Sequence, residues 1–171
     1  MTSRSLLLAG SLMGGALSVG APQPTPPAAN VEGWRHFAGS WSASGTRHTL
    51  PSEADRDAAI VQLSGSLVLT VEGTLGRGFQ GQAIAFDGGD VRVGRAVWTD
   101  DGGNQIFSTL TGGPFSGGQR LLGTITGGTG RFAGVTGEYA FTWQYVVMAP
   151  DGVVQGRAGD LSGRVRRGGQ P

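Results

Sequence analysis

Cysteine is absent from the 171 residues. No disulfide framework, thiolate nucleophile or cysteine zinc knuckle is available to this chain. Lysine is absent as well, so all 13 basic residues are arginine, which reflects GC-rich coding rather than chemistry. With no lysine, the phosphate-binding loop that depends on one is excluded. Charge is scarce at 15% of residues, and the net charge of +1 provides no field for nucleic acid or an anionic membrane. Long apolar runs are missing too, and a stable membrane span needs about 20 such residues. What the chain has instead is glycine, 33 residues without a three-residue period, which sets collagen aside. A length of 171 suits one domain with one core.

Residues 1–21 differ from the rest. Arg4 precedes an apolar stretch from Leu6 to Val19, small residues follow, and no acid occurs before Glu32. That is the form of a secretory signal peptide, so the expected location is extracellular or periplasmic. Residues 22–33 hold four prolines and read as an extended linker. The domain is expected over 34–167, with a short tail at 168–171.

Within the domain, no segment sustains the i, i+3, i+4 apolar spacing of a helix, although 52–59 could form a turn or two. Elsewhere apolar residues alternate with period two and are cut by glycine. Val61, Leu63, Leu67, Leu69 and Val71 make one odd face; Tyr139, Phe141, Trp143 and Tyr145 make another. About eight strands result, near 37–48, 60–72, 78–87, 91–99, 104–112, 119–127, 136–149 and 152–166. The breaks are turn dipeptides such as Asp101-Gly102 and Asp151-Gly152, which favour antiparallel neighbours. Eight strands with one apolar face each, and no helix to cover them, must close into a barrel or stack as a sandwich. The all-β reading adopted is a single eight-stranded antiparallel barrel, because closure removes the exposed edges. Glycines at strand positions (Gly39, Gly65, Gly81, Gly94, Gly123 and Gly156) suit tight barrel curvature, where a side chain would crowd or a strand must bend.

Gly127-Gly128-Thr129-Gly130-Arg131-Phe132, with Gly137 and then Glu138-Tyr139-Ala140-Phe141, resembles the signature of the allene oxide cyclase and dirigent superfamily, in its bacterial branch. The resemblance implies a calycin-like eight-stranded antiparallel barrel and, as one activity, cofactor-free isomerisation or cyclisation. It covers roughly twenty residues and carries over no catalytic residue. Read physically, the glycines permit a positive-φ connection and Phe132 can plug a barrel end. The same glycines imitate a dinucleotide fingerprint, but a strand follows where a phosphate-binding helix should begin.

Catalytic constellations are sparse. His36 and His48 lack metal-ligand spacing, and no G-x-S-x-G elbow occurs. Asp100-Asp101-Gly102-Gly103-Asn104 and Asp87-Gly88-Gly89-Asp90 read as hairpin turns rather than calcium loops. Trp41, Trp98, Phe107 and the four odd-face rings are core candidates that could also line a cavity for one small ligand. Glu138 and Arg95 are the strand charges of interest. Arg95 points outward if Trp98 points in, but becomes a buried cation if Val91, Val93 and Val97 share its inner face. The functional expectation is a secreted barrel holding a small apolar or amphipathic ligand in its interior, without cofactor or metal. The alternatives are a cofactor-free isomerase or cyclase, and a structural module that forms homo-oligomers.

One outcome follows from alternation alone. Tyr139, Phe141, Trp143 and Tyr145 must share a face, and four rings in water would make an apolar patch that soluble monomers rarely tolerate. Thr142 and Gln144 then face outward. Truncating a buried ring costs about 3–5 kcal/mol, so Trp143→Ala is expected to lower the melting temperature by many degrees. An unchanged melt would place the strand face in water.

Overall fold

The computed structural model describes residues 33–51, 57–71, 74–88, 91–112 and 120–168. The expected signal peptide, nearly all of the linker, and residues 169–171 of the tail lie outside that set. So do residues 52–56 of the expected helical turn, while Ala58 and Ala59 already belong to a strand.

Nine strands follow one another: β1 (Arg35–Leu50), β2 (Ala58–Val71), β3 (Thr74–Gly88), β4 (Val91–Thr99), β5 (Gln105–Gly112), β6 (Arg120–Gly128), β7 (Val135–Thr142), β8 (Gln144–Met148) and β9 (Val153–Arg167). Each of the first six pairs antiparallel with the next, β7 pairs with β9, and β9 returns to β1. The result is a closed eight-strand antiparallel barrel. Among the described residues the extra strand, β8, pairs only with β9.

β8 exists because the long aromatic run breaks at Trp143. β7 lies against Ser162–Arg167 of β9, and β8 lies further along the same strand, against Val154–Arg157. Between these stretches the register of β9 against β1 slips by a residue. Asp160 bridges the break, accepting hydrogen bonds from the Thr142 N–H at 2.8 Å and the Thr142 hydroxyl at 2.7 Å. Burial works against the charged Asp160 carboxyl, but these bonds and Arg120 outweigh it and hold the pKa below the ordinary value.

Alternation sorts the side chains as expected. Val61, Leu63, Leu67 and Leu69 point inward, as do Trp41, Trp98, Tyr139, Phe141 and Trp143. The bore accommodates so many rings because glycines face them. The Tyr139 ring lies across Gly123, where an added Cβ would sit 2.1 Å from Cζ. Trp143 covers Gly156 in the same manner, with Cζ2 at 2.4 Å from such a Cβ. Rings then pack on rings, Trp98 on Tyr139 at 4.7 Å and Trp41 on Trp143 at 4.9 Å between centroids.

The superfamily-like signature closes one end. Gly130–Phe132 form a single 3₁₀ turn, and Phe132 packs against the core with its ring 5.8 Å from Phe79. Gly130 takes φ +53°, and Asn104 Oδ1 occupies the space a side chain would need. Asp100, its side chain wholly buried, accepts hydrogen bonds from the backbone N–H groups of Gly102 and Asn104, each at 2.9 Å. Arg131 completes the arrangement through an ion pair with Asp100. The signature is therefore a plug that couples two turns.

Removing one partner of a buried ion pair strands the other charge and typically costs about 3–5 kcal/mol. Because Asp100 keeps its N–H donors, Arg131→Ala is expected near the lower end, about 3 kcal/mol, as a shifted urea midpoint. A midpoint equal to the wild type would show that the plug contributes no stability.

Candidate functional site

The interior does not hold ligand volume. Trp41, Trp98, Tyr139, Phe141, Leu110 and Leu161 are among the residues bounding what remains, a cavity of about 10 Å³. That is room for about one water molecule. The expected interior ligand site is thus corrected: the rings fill the bore. Three of its expected residues face away from it. Trp98 points inward, so Arg95 is exposed on the outer wall, and Val93 is exposed beside it. Ile106 and Ser108 point inward, which turns the half-buried Phe107 outward. Glu138, next to the inward Tyr139, is 62% exposed and pairs with Arg164 Nη2 at 2.7 Å.

Polar chemistry gathers instead at the end opposite the Phe132 plug. Here the inward positions turn from rings to charged groups. β3 supplies Asp87, β4 supplies Arg92, β1 supplies Arg47, and β8 supplies Tyr145 above Trp143. Asp87 and Arg92 form a 3.0 Å ion pair, with Asp87 nearly buried. The pair forms because the two residues are cross-strand neighbours of the β3–β4 hairpin. Asp87 is therefore a strand residue facing the bore, which corrects its reading as part of a turn. Arg47 is half-buried and donates to Thr49 Oγ1 at 2.5 Å. It also borders a groove of about 330 Å³ between the end of β1 and the β8–β9 turn, bounded further by His48, Met148, Pro150, Asp151 and Val154.

Two donors at this mouth have no hydrogen-bond partner. The Trp143 side chain is 1% exposed, and its indole Nε1 is buried and unpaired. It faces the Tyr145 hydroxyl, itself buried and unpaired, without reaching bonding geometry. The Trp143 and Tyr145 rings meet edge to face at 6.0 Å. Burial pushes the Tyr145 phenol above its ordinary pKa; the Arg47 charge opposes the shift, Asp87 adds to it, and the facing Trp143 indole N–H opposes it. Orphaned buried donors are rare in native proteins and call for an explanation.

A second, wider depression of about 590 Å³ lies on the outer wall, where Glu138, Arg164, His36 and Leu122 surround small residues of β7 and β9. Its charged residues are already paired with each other and open to water. On another part of that wall Ile60, Phe86 and Val93 form an exposed cross-strand row. Among the described residues, no three His, Asp or Glu side chains come together as a metal-binding group.

The buried phenols generate a pH dependence. Burial raises Tyr139 to about 12, its bond with Ser108 at 2.7 Å only partly opposing this. An unfolded tyrosine titrates near 10, so between pH 10 and 12 the unfolded chain has lost a proton that the native state retains. Stability falls as pH rises through that window, by about 3 kcal/mol from Tyr139. Chemical denaturation across this range should show the decline, and Tyr139→Phe should flatten most of it. Full phenolate absorbance near pH 10 in still-folded protein would contradict the burial.

No family model matches the chain, and no curated protein matches it. Among solved structures, a pyocyanin demethylase is similar, at 20% sequence identity and a TM-score of 0.40, over 73% of this chain and 98% of that one.

Proposed function

We propose that this chain is a secreted binding barrel of the allene oxide cyclase and dirigent type that takes a small amphipathic molecule at its polar mouth. The observation that carries this reading is the pair of unpaired buried donors, Trp143 Nε1 and the Tyr145 hydroxyl. The Tyr145 phenol lies near Arg47, which borders a groove of about 330 Å³, within the range of small-molecule sites. The filled bore supplies a rigid floor, and the mouth supplies polar groups that orient what lands on it. Superfamily membership rests on the signature, and its role as an end plug agrees with the physical reading of those residues.

One observation favours a second reading, a cofactor-free isomerase or cyclase. Asp87 is a carboxylate directed into the barrel at the same mouth, held by Arg92. A single acid beside apolar walls is enough for catalysis by positioning and proton transfer. Under that reading Asp87→Asn abolishes turnover while leaving binding intact.

Native mass spectrometry of protein purified from its host tests the binding reading. The expected result is a one-to-one small-molecule adduct that weakens about tenfold in Tyr145→Phe, as for one lost hydrogen bond in a desolvated site. An adduct indifferent to Tyr145→Phe but removed by Leu122→Asp would move the site to the outer wall. No adduct at all would overturn the reading.

A further inference from the structure

We infer that the outer wall of β2, β3 and β4 is an interface between two copies of this chain, joined about a two-fold axis at Phe86. The inference concerns the outside of the barrel and is independent of what the mouth binds.

Register builds the face. Ile60, Phe86 and Val93 lie side by side on three adjacent strands. Ile60 and Phe86 point outward because their neighbours Val61 and Asp87 are buried in the bore. Ile84 adds a fourth side chain, two residues from Phe86 on the same face of β3. Leu50, opposite Ala58 at the end of β1, adds a fifth. Their exposure runs from 41% at Phe86 to 67% at Leu50, so the patch is open and not merely a row of half-covered edges. Contiguous apolar surface of this kind marks an interaction site, whereas single exposed aliphatics do not.

Two charges identify what covers it. Arg95 is exposed on β4, directly across from Ile84, on the side of the patch nearer the plug. Asp57 is exposed just before β2, on the other side of Phe86 and nearer the mouth. Neither has an ion-pair or hydrogen-bond partner among the described residues. Opposite charges at opposite borders of one apolar face are self-complementary under a two-fold rotation. With the axis at Phe86, the two Phe86 rings meet, and Arg95 of each copy comes to Asp57 of the other. A lipid surface offers no fixed place for either charge and would have to desolvate Asp57.

Size sets the strength. Large apolar patches on monomers measure about 300–600 Å², so two such faces with their polar rims stand at the low end of specific interfaces. The dimer is therefore a weak one, with a dissociation constant on the order of 10 μM.

Sedimentation equilibrium of protein purified from its host tests this. The expected result is monomer near about 1 μM and dimer near about 300 μM. Phe86→Asp should weaken the dimer about thirtyfold, because an isologous interface loses the ring from both copies, and the milder Phe86→Ser about tenfold. Arg95→Asp should weaken it about tenfold by setting acids against each other at both ends. Adding Asp57→Arg to Arg95→Asp should restore association to within about threefold of the wild type. Val147→Asp, on the separate apolar stretch of β8, should change nothing. A thermal melt of each variant verifies folding. A monomer at about 300 μM overturns the inference. So does association that survives both Phe86 variants or is lost in Val147→Asp, since either places the contact on another surface. If the Phe86 variants dissociate but the charge swap does not restore pairing, the two-fold arrangement is wrong.

Discussion

Large rings fit inside a barrel of eight strands only where the facing strand gives up its side chain. The bore of such a barrel is just wide enough for side chains to fill, and strand number fixes its width. This chain directs three tryptophans, a tyrosine and several phenylalanines into that space. Tyr139 across Gly123 and Trp143 across Gly156 show the solution, in which each ring takes the volume its glycine leaves. The pairing also specifies register. A one-residue slip would turn the rings into water and bring outward polar groups into the bore. A few of the chain's glycines, Gly81, Gly123, Gly156 and Gly163 among them, thus serve packing against aromatics.

That constraint divides the molecule into a scaffold and two unlike ends. The filled interior cannot change to admit a ligand without losing ring contacts, so recognition is displaced to an end. One end is sealed by Phe132 and by the Asp100–Arg131 pair, which ties the β4–β5 turn to the β6–β7 turn. The other end carries Asp87, Arg92, Arg47 and Tyr145, where burial raises a phenol pKa and leaves donors unpaired. Local violations of packing and hydrogen-bonding rules in an otherwise consistent fold are the mark of a functional site. Unpaired buried polar atoms occur at the mouth, on Trp143 and Tyr145, as well as on Trp41 in the bore and Arg131 at the plug.

The sequence made the scaffold legible because a half-buried strand writes its orientation in period two. The odd face of β2 and the rings of β7 follow directly from alternation, and the turn dipeptides mark most strand ends to within a few residues. Alternation does not report volume, so it could not tell a hollow bore from one packed with rings. Nor does it register a bulge on a partner strand, which is why the run through Trp143 read as one strand rather than two. The mouth was harder still. Asp87 looked like part of a glycine turn, and only its cross-strand position opposite Arg92 reveals an inward ion pair. Arg47 follows Trp41 and Ala43 on the same odd face and was readable from that spacing. Arg95, Glu138 and Phe107 fall outward for the same reason the rings fall inward.

A double-mutant cycle between Gly123 and Tyr139 tests this account most directly. Gly123→Ala in the wild-type background should destabilise the fold by about 1–3 kcal/mol, because its methyl group enters the Tyr139 ring. In a Tyr139→Leu background the methyl group has space, so the same substitution should cost little, giving a coupling energy of about 1 kcal/mol or more. Additive effects would mean that Gly123 is not the seat of the ring, and that the interior is not filled by ring-on-glycine packing.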